Sequence, residues 1–288
     1  MQASFFLAEL SSRSLEFFVA SENESMSEKR NVFWENDAPP EWDLDWGVDE
    51  FCMWATFQVD DVVQKMRWIA GGEFSMGSPK DEDRRWEDEG PQHRVTISQG
   101  FWLFDTPCTQ ELYQAVMDDN PSEFKGEKRP VESVDWEMAQ KFIERLNSKL
   151  SGLNIRLPTE AEWEYSCRAR TLEARYGELE NVAWYQDNSG GETHAVKQKT
   201  PNAWGLYDTL GNVYEWCLDG KREYNSKEQT DPGLSGKNSA GRVIRGGGWG
   251  DSALYARAAY RNANHSSNRN NNLGFRCLSS ARRQQTSS

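Results

Sequence analysis

The chain of 288 residues contains no long apolar run. None approaches the roughly 20 residues that a membrane-spanning helix needs. The short apolar stretch from Phe5 to Leu10 has no basic residues ahead of it, so it does not read as a secretory signal. A cytoplasmic protein with no membrane partner is the expectation. Positive charge is also scarce: 33 Lys and Arg stand against 46 Asp and Glu, for a net charge of -13. That balance argues against a nucleic-acid partner. The five cysteines (Cys52, Cys108, Cys167, Cys217, Cys277) are far apart, with no CxxC or Cys–His spacing. This excludes a zinc ribbon and leaves reduced, buried thiols as the expected state.

Aromatic area is what the chain has in quantity, with 13 Trp and 13 Phe to fill a core. The length suits one large domain or one domain with an appendage. Residues 1–32 are Ser- and Glu-rich with weak periodicity and read as a flexible N-terminal segment, in which Phe5, Phe6, Leu7 and Leu10 could start a short helix. Residues 33–65 carry Trp34, Trp42, Trp46, Phe51 and Trp54 among acids and a Pro39-Pro40 pair, and read as an aromatic-rich arm packed on the main domain. The main domain then runs over 66–281, with a short tail at 282–288.

Within that domain, residues 66–76 predict two short strands or a bulged one. Residues 80–90 are a charge run and read as a solvated loop. Residues 93–104 alternate like a hairpin, with His93 an ordinary sheet-edge residue. Three helices have start signals. Thr109 caps one with Leu112, Tyr113, Val116 and Met117 on a face. Asp135 caps a second with Ala139, Phe142, Ile143, Leu146 and Leu150 at helical spacing. Thr159 and Glu162 form a capping box for a third. After Arg170 the patterning fades into loops up to about residue 240. Loops that long are usually functional or held by ions. The class is α+β.

The stretch over residues 242–277 alternates rigid anchors with small polar residues. The anchors are Arg245, Gly246-Gly247-Gly248, Trp249, Arg257, Arg261, Arg269 and Gly274-Phe275-Arg276. Between them lie Gly250-Asp251-Ser252, Asn262-Ala263-Asn264-His265 and Asn270-Asn271-Asn272. Asparagine competes for backbone hydrogen bonds and suits loops better than helices or strands. A braced frame carrying an exposed polar surface is the expectation, with the arginines offering five donors each to carbonyls and carboxylates.

Several motifs stand in order along the chain: Phe74-Ser75-Met76-Gly77-Ser78, Pro91-Gln92-His93-Arg94-Val95, Pro130-Val131, Arg156-Leu157-Pro158-Thr159-Glu160-Ala161-Glu162-Trp163-Glu164-Tyr165, Pro201-Asn202-Ala203-Trp204-Gly205-Leu206-Tyr207-Asp208, Gly211-Asn212-Val213-Tyr214-Glu215-Trp216 and Gly274-Phe275-Arg276. Together they resemble the formylglycine-generating, sulfatase-modifying family over roughly residues 66–278. The resemblance implies a loop-rich variant of the C-type lectin fold. Enzymes of that family oxidise a substrate cysteine with a copper ion held by two cysteines after the Arg-Gly-Gly motif. Residues 249–261 contain no Cys, and a soft Cu(I) centre requires thiolates. No copper is therefore expected.

Residues 242–277 are similar instead to the variable segment of proteins diversified by retroelements, in which template adenines are scrambled. Replacing adenines in the Asn codon AAC yields codons for Gly, Asp, Ser, Tyr, Leu, Ala and His. Gly250, Asp251, Ser252, Leu254, Tyr255, Ala263 and His265 all fall in that set. The implied ligand-binding residues are Gly250, Asp251, Ser252, Leu254, Tyr255, Tyr260, Asn262, Ala263, Asn264 and His265, facing a protein or other macromolecular ligand. Tyr with Ser, Asn and Gly is the composition of adaptable paratopes. The resemblance also places a structural calcium ion on Asp208 and Glu215 with the carbonyls of Gly211 and Val213, and a weaker one beginning at Asn181 and Val182. Oxygen donors suit that ion. The competing expectations are an active oxidase of the family and a pseudoenzyme with one fixed partner.

Overall fold

The computed structural model describes residues 42–233 and 241–280. The N-terminal segment with Phe5 to Leu10, the part of the arm holding Trp34 and Pro39-Pro40, and the tail at 282–288 lie outside the described residues. In chain order the elements are β1 (Asp45–Val48), β2 (Met53–Val59), β3 (Val62–Ile69), β4 (Gly72–Met76), β5 (His93–Ile97) and β6 (Phe101–Phe104), then helices α1 (Gln110–Met117) and α2 (Trp136–Lys149). Strand β7 (Ile155–Arg156), helices α3 (Glu160–Arg168) and α4 (Leu179–Val182), and strands β8 (Ala183–Trp184), β9 (Leu210–Gly211), β10 (Tyr214–Gly220), β11 (Gln229–Thr230), β12 (Gly241–Arg245), β13 (Arg261–His265), β14 (Leu273–Gly274) and β15 (Leu278–Ser280) follow.

The six-stranded sheet has the order β1-β2-β3-β6-β15-β7, so the last strand of the domain lies between β6 and β7. The domain starts earlier than the sequence suggests. A boundary at 66 falls inside β3, and residues 45–59 are hydrogen-bonded strands, not an arm laid on the surface. Strand β2 has no clean polar alternation, with Ala55, Thr56 and Phe57 buried in succession, which hides it. Trp42 meets Phe57 and Trp102 edge to face at 6.3 and 6.1 Å. The expected hairpin over 93–104 is also absent: β5 pairs with β4 and β11, whereas β6 pairs with β3 and β15. Two strands adjacent in sequence leave into different sheets. His93 is buried on the central strand of its sheet instead of lying at an edge.

The helices begin where their caps place them. Thr109 Oγ1 accepts from Leu112 N at 3.4 Å, and Asp135 Oδ1 accepts from Met138 N at 2.8 Å. Thr159 and Glu162 make the reciprocal capping box at 3.2 and 2.8 Å. Helix α2 buries Ala139, Phe142, Ile143 and Leu146, while Leu150 ends the helix half-buried. The loops expected after Arg170 contain β10, a seven-residue strand at the centre of the sheet β13-β12-β10-β14. Six of its residues are buried, so no polar alternation marks it.

Candidate recognition site

Helix α3 is the element on which the site is built. It is buried nearly all round, including two carboxylates one turn apart, Glu160 and Glu164. A buried carboxylate requires a partner, and the two partners come from residues 242–277. Arg261 meets Glu160 through Nε and Nη2, both at 2.7 Å. Arg245 donates through Nη2 to Glu164, and Nη1 and Nη2 also reach the carbonyls of Ala258, Ala259 and Tyr260 at 2.6 to 3.0 Å. Glu164 also accepts from Gly77 N and Arg168 Nε. A third brace, Arg276, donates through Nε and Nη2 to Glu215 at 2.7 Å, and Trp163 Nε1 fills the same carboxylate at 2.7 Å. Arg269, by contrast, pairs with Asp135 at the surface.

The glycine run between these braces has a steric reason. Gly246 and Gly247 have φ of 98° and 78°, a region open to glycine and costly for other residues. A Cβ on Gly247 would meet the Tyr255 backbone at 3.1 Å. The turn therefore brings residues 250–255 back over the frame. Trp249 caps this fold-back: Nε1 donates to Asn271 O at 2.9 Å and the ring meets Phe124 edge to face.

The residues expected at the surface divide. Gly250 and His265 are exposed; Ser252, Leu254, Tyr255, Asn262, Ala263 and Asn264 are half-buried. Asp251 turns inward: Oδ2 accepts from Gly248 N at 3.0 Å, and Tyr214 and Asn272 also bond its carboxylate, while burial pushes its pKa up. Tyr260 is only 6% exposed, with its hydroxyl bonded to Tyr214 and its pKa pushed up to about 12 by burial. Residues 262–265 are not a loop. They form β13, the edge strand beside β12, registered Asn262 to Ile244 and Asn264 to Arg242. Pairing to β12 overrides the loop preference of asparagine, and Asn262 Oδ1 covers the Ala263 N–H at 2.8 Å.

Residues 80–90 are the wall that sequence reasoning missed. Most of the run is exposed, as a solvated loop would be, but Glu89 is fully buried, and Arg257 grips Glu89 and Glu82 together. Arg261 Nη1 adds a bond to Asp88 O at 3.1 Å. So held, Trp86 faces Tyr255 with ring centroids 6.5 Å apart and an interplanar angle of 21°. Tyr260 meets Tyr255 edge to face at 4.9 Å. A cavity of about 290 Å³ opens between Trp86, Asp88 and Lys221 on one side and Tyr255, Tyr260, Arg261 and Asn262 on the other. A second cavity, about 340 Å³, lies near the start of α3, and none of the expected site residues lines it.

The residues assigned to calcium do not fit that ion. Both oxygens of Glu215 are taken by Arg276, with Trp163 as a further donor. Asp208 accepts from Lys197 N at 2.9 Å and Asn212 Nδ2 at 3.1 Å, and burial pushes its pKa up. At the weaker site the Asn181 carbonyl accepts from Thr200 N and the Val182 carbonyl from the Tyr176 hydroxyl. Gly211 and Val213 are buried beside these groups. Among the described residues no three His, Cys, Asp or Glu side chains group as metal ligands. The five thiols are unpaired, and none lines the cavity. Burial raises all five, Cys52 to about 11 and Cys167 to about 12, the reverse of what a reactive thiol needs. No helix among the described residues is long and apolar enough to cross a membrane.

Comparison with known proteins agrees with this architecture. A solved structure of Treponema denticola variable protein 1 is 32% identical, with a TM-score of 0.68 over 79% of this chain and 99% of that one. PvdO from Pseudomonas aeruginosa is 27% identical, with a TM-score of 0.71 over 78% and 97%. The formylglycine-generating enzyme of Streptomyces coelicolor is 34% identical over 53% of each chain. The serine/threonine-protein kinase pkn1 of Chlamydia pneumoniae is 32% identical over 75% of this chain, which spans only 38% of that protein's length. Residues 55–281 match the sulfatase-modifying factor enzyme 1-like domain, and the chain therefore belongs to the formylglycine-generating-enzyme family of C-type-lectin-like, loop-rich α+β folds, with the retroelement-type variable proteins among its relatives.

Proposed function

We propose that this chain is a non-catalytic ligand-binding member of its family. It presents residues 250–252, 254, 255, 260 and 262–265 as a recognition surface, diversified by a retroelement, to a protein or other macromolecular ligand. The observation that carries this reading is the placement of Tyr255, Tyr260 and Asn262 around an open cavity on a frame of buried arginines, in a segment that lacks the cysteine pair. Aromatic rings held rigidly supply contact area at low entropic cost, and Ser, Asn and Gly supply adaptable hydrogen bonds. The acidity of the chain disfavours nucleic acid and anionic membranes.

Family membership favours a second reading, a copper-dependent oxidase of the formylglycine-generating type. The two separate on DNA and on chemistry. Sequencing the coding segment for 242–277 across sibling cells and its flanking DNA should find a near-copy and substitutions concentrated at Asn-type codons. A segment fixed in every sibling, with no near-copy, would remove the diversified reading. Conversion of a cysteinyl peptide to an aldehyde by the copper-supplied protein would restore the oxidase.

A further inference from the structure

We propose that, in this version of the surface, the slot between Trp86 and Tyr255 is a subsite for the guanidinium of an arginine side chain carried by the partner. This rests on the recognition reading above and names the chemistry of one part of it. Two rings nearly parallel at 6.5 Å leave a midpoint about 3.3 Å from each centroid. That is close to the stacking distance of a flat group on either face, and well inside the ~6 Å within which a cation is attracted to an aromatic face. Tyr260 closes the slot from the side. Eight cation–ring contacts are made within the described residues, and none uses Trp86, Tyr255 or Tyr260. Trp86 and Tyr255 both line the cavity, while Tyr260 is nearly buried beside them.

Charge selects among flat groups. Asp88 lines the same cavity, and its carboxylate is bonded by Lys221 Nζ at 2.6 Å. Lys221 already pairs with the carboxylate that a ligand cation would use. Both side chains are more than a third exposed, so exchange of one cation for another at Asp88 is cheap. The net charge of -13 raises the local concentration of cations around the whole molecule. Trp86 itself is 49% exposed yet immobilised. Its backbone N–H donates to Glu89 Oε1 at 3.2 Å, and Glu89 is held by Arg257. A slot preorganised in this way binds without ordering cost. Trp86 and Asp88 lie outside 242–277, so every version of the surface would keep this wall.

The test titrates the full chain with N-acetyl-arginine methylamide, with its flat neutral isostere N-acetyl-citrulline methylamide, and with N-acetyl-tyrosine methylamide, read by ligand-observed NMR. The arginine derivative is expected to bind about tenfold more tightly than citrulline. Trp86→Ala should abolish the difference, and Asp88→Asn should weaken arginine binding. Lys221→Met, which removes the competing cation, should strengthen it several-fold. Equal binding of citrulline, preference for the tyrosine derivative, no effect of Lys221→Met, or no binding by any probe would each overturn the assignment. The probes report on the slot alone. A negative result here beside a varying 242–277 segment removes the subsite and leaves the recognition surface standing.

Discussion

Replacing Arg276 by Met removes one guanidinium from the frame and nothing from the surface. Arg276 is fully buried and makes two bonds of 2.7 Å to Glu215, one of 2.8 Å to Tyr207 O and one of 3.2 Å to Phe104 O. Its loss strands the Glu215 carboxylate, which is 1% exposed, with Trp163 Nε1 as its remaining donor. Breaking a buried pair from one side costs about 3–5 kcal/mol. For a domain of this size each kcal/mol moves Tm by about 2–4 °C, so a fall of about 6–20 °C is expected. Arg269→Met is the control. That side chain is 59% exposed beside Asp135, and an exposed pair is worth about 0–1 kcal/mol, a few degrees at most. Glu215→Leu combined with Arg276→Met should recover more than half of the loss, because two apolar groups leave no stranded charge. Calorimetry of the four proteins decides. An Arg276→Met protein that melts within the shift of Arg269→Met would refute the frame.

Three further outcomes follow from the same geometry. Calcium addition or chelation should leave Tm unchanged, since Arg276 and Trp163 already satisfy Glu215; a calcium-dependent rise would show that those bonds open for the ion. Burial lowers the His93 pKa, beside Tyr224 and Arg222, so the unfolded chain takes up the proton first. The stability His93 contributes is then present above its unfolded pKa of about 6.5 and is lost as pH falls below that toward the folded value. Urea midpoints should drop between pH 7 and pH 5.5, and His93→Phe should reduce that drop; an equal drop in the variant would assign it to other groups. Gly77→Ala should cost several kcal/mol, because φ is 92° and a Cβ would lie against the Glu89 carbonyl. An unchanged urea midpoint would contradict it.

What could be read from residue order was local. Caps at Thr109, Asp135 and Thr159 lie within three residues of what they bond, so the helix starts were legible. The motif around α3 was visible, but its reason was not. Glu160 and Glu164 are charged helix residues until Arg261 and Arg245 arrive from 101 and 81 positions away. The anchoring of the exposed charge run at 80–90 was hidden for the same reason: Arg257, which pairs with buried Glu89, stands 168 residues downstream. Asn262 and Asn264 looked like loop residues because nothing local announces the pairing with β12. Trp86 carried no signal beyond being an aromatic among acids, and only its approach to Tyr255 makes it part of a site.

The most direct test of the account separates surface from frame. One protein carrying Gly250→Ser, Ser252→Tyr, Leu254→Ser, Asn264→Tyr and His265→Asn together changes only side chains, at positions where the frame uses at most the backbone. A Cβ on Gly250 meets nothing within 4 Å, and substitutions away from packed features usually stay within about 0.5 kcal/mol each. The account predicts a cooperative transition with Tm within about 5 °C of the parent. A fall as large as that of Arg276→Met, or loss of the cooperative transition, would contradict it, because the surface would then be part of what holds the fold.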